Sequence, residues 1–246
     1  MGETAVRLDK AVALAGISRG DARRALADGR VTVNGRAERD AGFHVSAADV
    51  VALDGEAVSL REHVHIMLNK PAGCLTATED AHGAPTVMDL LPDRLRLRKI
   101  GPVGRLDKDV TGLVLLTTDG QLAHRLISPR RDVEKVYFAR VEGRLDEDCA
   151  RAFEKGIAFR DFTALPARLK IVRAGEDASE ARVYVKEGKF HQVKRMCLAV
   201  GHPVLSLRRE KIGPVSLDPS LAEGEWRTLT AEEETILYDI SGMNQP

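Results

Sequence analysis

A chain of 246 residues that is 43% hydrophobic, 30% charged and formally neutral at pH 7 has an ordinary globular composition, which excludes a disordered or fibrous chain. Arg7, Asp9 and Lys10 interrupt the stretch a secretion signal would need, and no later run approaches membrane-spanning length, so a cytoplasmic protein with no membrane partner is expected. Cys74, Cys149 and Cys197 stand far apart with no C-x-x-C pair, which points away from a disulfide framework or a zinc site.

Apolar residues at 8, 11, 12 and 15 have helical spacing over Arg7–Ala15, and Gly16 is placed to end that helix. Ser18 can cap a second helix over Arg19–Asp28, which sets Arg19 and Arg23 four residues apart on one face with Arg24 beside them, a face suited to phosphates. A short strand over Val31–Val33, a hairpin signal at Asn34-Gly35 and a strand over Asp49–Leu53 ended by Asp54-Gly55 complete a unit of about 60 residues. The run RLDKAVALAGISRGDARRALADGRVTVNGR resembles the S4 RNA-binding domain through its R-L-D-K opening, the S-R start of its second helix, the paired arginines and the V-x-V-N-G turn. On residue spacing alone, a small helical cap domain is the other reading.

Ser59–Glu62 reads as a linker. Beyond it, His63–Leu68, Leu113–Thr117 and Lys135–Val141 read as strands, Asp119 can cap a helix over Gly120–Ile127, and Phe190–Val200 reads as a basic amphipathic helix stopped by Gly201. Strands and helices without a regular βαβ repeat predict an α+β domain on a mainly antiparallel sheet flanked by helices. The neutral total hides local imbalance. Lys186–Lys211 carries seven Lys or Arg against two Glu, Arg94, Arg96, Arg98, Lys99 and Arg105 form a second basic stretch, and Asp218–Asp239 carries seven acids against one Arg. Such a distribution can hold a polyanion on one face of a neutral protein. His63 and His65 alternate on one strand without a third ligand at sensible spacing, so a surface strand face is expected there rather than a metal site.

In Gly104–Gly120, GRLDKDVTGLVLLTTDG, a loop bearing Arg, Asp, Lys and Asp leads directly into an apolar strand. A carboxylate at the lip of a rigid strand suits nucleophilic or base chemistry. Spacing alone leaves a D-x-D metal site at Asp107 and Asp109, and still more a plain polar turn, open. This stretch is similar to the G-R-L-D-x-x-T-x-G-L-x-L-x-T-x-D-G signature of the RsuA-type pseudouridine synthases, and LNKPAG, EKVYFARV, EGKFHQVKRM and LRREKIGPVSL fit the same family in the same order.

The resemblance implies that Asp107 is the catalytic aspartate and that the reaction needs no metal or cofactor. It makes Tyr137 the active-site tyrosine, where position alone would allow a sheet-core aromatic, and Lys189 the cation paired with Asp107 that keeps the carboxylate ionised. Leu207 becomes the apolar wall of a uracil pocket. Arg105 would contact the flipped nucleotide or fill its gap, Lys194 and Arg195 would hold phosphates where an ordinary basic helix face is the alternative, His191 would be a positioning residue, and Asn69 and Lys70 a strand-end turn near the site. The implied organisation is an S4 domain over residues 1–60 and a catalytic domain over 62–240. The implied function is isomerisation of a uridine in ribosomal RNA, most closely 16S, by a monomer acting on RNA or on a partly assembled ribosomal particle. Large-subunit enzymes of the RluB, RluE or RluF type, a non-catalytic S4 assembly factor, and a metal-dependent phosphotransferase sensitive to EDTA are the alternatives.

Overall fold

A computed structural model describes residues 5–60 and 63–244, so Arg61 and Glu62 of the expected linker lie outside the described residues. The chain divides into two compact units, one reaching to Val64 and including Leu91–Ile100, the other built from His65–Leu90 and the residues from Gly101.

In the first unit, α1 (Leu8–Ala13) is followed by α2 (Arg19–Ala27), whose start is fixed by Ser18 Oγ accepting from the Asp21 backbone N–H at 3.1 Å. The strands β1 (Val31–Val33), β2 (Arg36–Ala37), β3 (Val51–Leu53) and β4 (Glu56–Ala57) make an antiparallel sheet in the order β2-β1-β3-β4. Two-residue turns at Asn34-Gly35 (φ 50° and 79°) and Asp54-Gly55 (φ 52° and 83°) have the positive φ that matches hairpin twist. The helices bury Leu8, Val12, Ala22 and Leu26 against Val31 and Val51. A short helix, α3 (Asp93–Arg96), belongs to this unit although its place in the chain assigns it to the second domain. Gly16 makes room for it: a Cβ there would lie 2.6 Å from Leu97 Cβ, and its φ of +94° suits glycine alone.

The second unit contains β5 (His65–Lys70), β6 (Thr111–Thr117), α4 (Gly120–Ile127), β7 (Lys135–Glu142), α5 (Glu147–Lys155), β8 (Arg168–Arg173), β9 (Ala178–Val185), α6 (Gln192–Ala199), β10 (Val204–Ile212), β11 (Trp226–Thr228) and α7 (Ala231–Ser241). Its sheet runs β8-β9-β7-β10-β6-β5-β11. Each pairing along that path is antiparallel except β10 with β6, where Arg208 and Arg209 lie beside Thr111 and Gly112 in parallel register. The apolar run of β6 is buried because α4 and α7 pack Leu122, Leu126, Leu237 and Tyr238 over Leu113 and Leu115. Each such side chain removed from water stabilises the unit by about 1.5–3 kcal/mol.

His65 departs from the surface position that its spacing suggests. It is 4% exposed and belongs to the core, because β5 is an inner strand between β6 and β11. Its Nδ1 lies 2.8 Å from Thr117 Oγ1 and its Nε2 3.3 Å from the Tyr238 hydroxyl, which donates to Asp119 Oδ2 at 2.9 Å. The other Asp119 oxygen accepts from the backbone N–H groups of Gln121 and Leu122 and so caps α4.

Candidate active site

The Gly104–Val110 loop enters β6 through a set of fixed contacts. Thr76 Oγ1 donates to the Leu106 carbonyl at 3.0 Å and accepts from the Leu106 N–H at 3.2 Å, and the Gly73 N–H donates to the Lys108 carbonyl at 2.8 Å. Beneath the loop, Lys70 is fully buried and its ammonium donates to the carbonyls of Pro71, Lys108 and Val110 at 2.9, 3.1 and 2.9 Å. All three of its donors are satisfied. Burial pushes the Lys70 pKa down, while Cys74 and the nearby carboxylates of Asp109 and Asp107 oppose that shift. Gly112 follows at φ +101°, where a Cβ would lie 2.4 Å from the Arg209 carbonyl oxygen, so the close seam between β6 and β10 admits glycine only.

The loop delivers Asp107 into an open pocket. The pocket gathers Arg105, Asp107, Tyr137, Lys189, Lys194 and Leu207 from segments distant in sequence, with His191 on its rim. Asp107 is 27% exposed. Lys194 Nζ stands 3.5 Å from its Oδ2, and His191 Nε2 stands 3.6 Å from its Oδ1. The same Lys194 ammonium reaches both oxygens of Asp109 at 2.6 and 2.8 Å and thereby holds the Asp109 carboxyl below the usual range.

The counter-charge of Asp107 therefore differs from the sequence expectation. Lys189 lines the pocket but is exposed and makes no ion pair among the described residues; Lys194 takes the place expected of it. The cause is local. His191 adopts the left-handed conformation (φ 49°), α6 begins two residues later than periodicity suggests, and Lys189 falls in the preceding turn. Gln192, almost fully buried, fixes that turn by accepting from the Lys189 N–H at 3.0 Å and donating to Glu187 Oε1 at 2.8 Å; the same Glu187 oxygen accepts from the Leu165 N–H. Phe190 stacks on His191 with ring centres 3.8 Å apart.

Other basic residues are also engaged. Arg195 pairs with both oxygens of Asp161 at 2.9 and 2.5 Å and lies over the rings of Phe159 and Phe162, which ties the loop between Ile157–Ala158 and Thr163–Ala164 to α6 rather than leaving a free phosphate ligand. In the first unit Arg23 pairs with Asp9 at 3.1 Å and Arg24 with Asp21 at 3.6 Å, while Arg19 is exposed without an ion pair among the described residues. Sequence pattern marks Lys70 only as a turn residue and leaves Thr76 unmarked, while Glu187 and Gln192 fall inside EGKFHQVKRM without a role assigned to either; the K-P of LNKP is the signal in the chain for the loop's anchorage.

The chain matches the family model described as RNA pseudouridylate synthase over residues 64–199 and that of the S4 domain over residues 6–51. It is 41% identical over 238 residues to an uncharacterized RNA pseudouridine synthase, YtzG, of Bacillus subtilis (strain 168), covering 95% of this chain and 99% of that protein. It is 42% identical over 233 residues to ribosomal small subunit pseudouridine synthase A of Escherichia coli (strain K12), covering 93% and 98%. A crystal structure of a pseudouridylate synthase superposes with a TM-score of 0.66 at 36% identity, covering 96% of this chain and 99% of that one.

Proposed function

The chain belongs to the RNA pseudouridylate synthase family, and from that premise we propose that it isomerises a uridine of small-subunit ribosomal RNA to pseudouridine with Asp107 as its essential carboxylate. The observation that carries this reading is the meeting, in one pocket at the lip of β6, of a half-buried carboxylate, a tyrosine, an apolar wall and a facing cation. The small-subunit assignment follows the Escherichia coli relative, whose name states that substrate.

The reaction breaks the bond from ribose C1′ to uracil N1, turns the freed base and joins C1′ to C5. The C5 proton leaves and N1 ends protonated, so the atoms balance without a co-reactant. Asp107 acts on the sugar, as nucleophile at C1′ or as base at C2′; both routes require a carboxylate held still against the ribose, which the Lys70 and Thr76 anchors supply. Tyr137 stacks on the base and relays the C5 proton, and Leu207 closes the apolar side so that the base turns without escaping. Lys194 and His191 balance the charge at Asp107. Lys189, exposed at the mouth, and Arg105, exposed at the start of the loop, meet the incoming strand. Extruding a stacked uridine costs about a few kcal/mol, and Arg105 offsets part of it.

The S4 unit adds a second RNA contact through Arg19, with Arg23 and Arg24 beside it. A pocket complete within one chain supports action as a monomer, and a ribosomal substrate, naked or in a partly assembled particle, supports a cytoplasmic location. Among the described residues no helix is long and apolar enough to cross a membrane.

The test is tritium release from 5-tritiated uridine in 16S and, separately, 23S RNA, with ribosomal proteins added where naked RNA fails. Release from 16S alone, lost by at least about a thousandfold in Asp107→Asn with RNA binding retained, is the expected result. Release from 23S alone would keep the chemistry and overturn the small-subunit assignment. No release from either would leave an S4 RNA-binding assembly factor.

A further inference from the structure

We propose that the sheet face opposite the catalytic pocket is a further RNA-binding surface, beyond the pocket and the S4 unit, which grips the phosphate backbone of the substrate away from the target uridine; this rests on the reading that the substrate is RNA. Strand register defines the two faces. On β9 the odd-numbered residues are buried, and Val183 and Val185 lie beside Tyr137 and Lys135 on the pocket side. The even-numbered residues turn the other way, into three cross-strand rows. One row sets Arg168 beside Tyr184, Val136 and Lys211; the next sets Lys170 beside Arg182, Phe138 and Arg208; the third sets Arg173 beside Glu180, Arg140 and Ser206.

Charge on this face is mostly basic. Glu180 and Glu210 are taken up by Arg173 at 3.0 Å and Arg182 at 2.8 Å, and Glu142, one pair further along β7 beside Ala178, is the exposed acid at its edge. Arg140, Arg168, Lys170, Arg208 and Lys211 are exposed and make no ion pair among the described residues. Four strands spaced about 4.8 Å apart and three rows spaced about 6.8 Å apart spread these charges over a patch roughly 14 Å square. The aromatic rings there are already covered by cations. The Arg168 guanidinium sits 3.6 Å from the centre of the Tyr184 ring, and that of Arg182 6.0 Å from the centre of Phe138. A guanidinium seated on a ring offers its outer plane to a nucleobase and its edge N–H groups to phosphate. Within these rows Val136 is 4% exposed and Phe138 is half-buried, and Val172 at the irregularity of β8 is the exposed apolar side chain beside them, so a protein partner would find little apolar area to cover, whereas a polyanion finds five exposed cations that make no ion pair among the described residues.

The test compares wild type with Arg140→Gln/Lys170→Gln/Arg208→Gln/Lys211→Gln, all exposed positions outside the pocket, by measuring the Kd for protein-free 16S RNA across a salt series together with turnover at saturating RNA. Every phosphate that the variant no longer neutralises lowers the slope of log Kd against log salt by about 0.7–0.9, so a fall of about 3, at least tenfold weaker binding near 150 mM salt and an unchanged kcat are expected. A wild-type slope and Kd in the quadruple variant would overturn the proposal. Unchanged affinity for protein-free RNA with turnover lost only on ribosomal particles would also overturn it, in favour of a protein occupant. Should the quadruple variant unfold, Arg140→Glu/Lys170→Glu decides in its place, since reversal weakens binding further than neutralisation at the same two sites only if phosphates lie there. If wild type forms no pseudouridine, the isomerase reading fails while the salt slopes still judge the surface.

Discussion

Lys70 places an ammonium group where three carbonyl oxygens converge, and two of them belong to the loop that carries Asp107. Lys70→Met keeps the length of the side chain and removes every donor, leaving buried carbonyls unpaired. The expected cost is about 2–4 kcal/mol of stability, with turnover reduced more than RNA affinity, read from thermal unfolding and from single-turnover assays beside filter binding. Lys135 shows the opposite balance. Burial, with Arg209 nearby, lowers its pKa to about 8 from 10.5. Between those two values the unfolded chain holds more protons than the folded one, so stability rises with pH across that window and the fold carries the full cost below pH 8. Allowing for solvent screening of a partly exposed group, Lys135→Met should gain about 1–2 kcal/mol at pH 7 and lose that advantage above pH 10, measured by urea unfolding at both pH values. At this scale it is the family resemblance, and not spacing, that points to Asp107, Tyr137 and Leu207 together, since position alone allows a polar turn and a sheet-core aromatic; the three line one pocket. The resemblance does not place the partner of Asp107: whether Lys189 or Lys194 faces the carboxylate turns on the left-handed backbone of His191, which no periodicity records.

The pairing of β6 with β10 is the parallel join in an otherwise antiparallel path, and it sets Asp107, one turn before β6, close to Leu207 on β10. Gly112 permits that seam. Gly112→Ala would force a Cβ against the Arg209 carbonyl at a φ unsuited to alanine, so a loss of about 3 kcal/mol or more and a matching loss of turnover are expected, checked by the unfolding midpoint and by tritium release. Elements with strong local signals are legible in the sequence: the Ser18 and Asp119 caps, the Asn34-Gly35 hairpin, and the alternation of Lys135–Val141, whose strand runs one residue further, to Glu142. Others are not. Strand β9 opens with small and charged residues in ASEAR before Val183-Tyr184-Val185, and that first half is held as strand by pairing on both sides, with β7 and β8. His65 looks superficial by its period of two, because that period carries no sign that both faces of its strand are covered.

For the whole molecule, formal neutrality is compatible with strong local fields. The basic run Lys186–Lys211 disperses on folding: Lys186 meets Asp132, Lys194 and Arg195 meet acids, and Arg209 is buried. The basic face of the sheet joins Arg208 and Lys211 of that run to Arg140, Arg168 and Lys170, a set that no count along the chain brings together. Register, rather than composition, makes that surface.

The enclosure of Lys70 makes it a natural reporter of motion. An amine-reactive label reaches its nitrogen only in molecules whose catalytic loop has withdrawn the Lys108 and Val110 carbonyls, so exposed lysines should be modified at once and Lys70 at the rate of loop opening. Peptide mapping after timed labelling would read that rate directly, and bound RNA should slow it if the closed loop is the form that holds substrate.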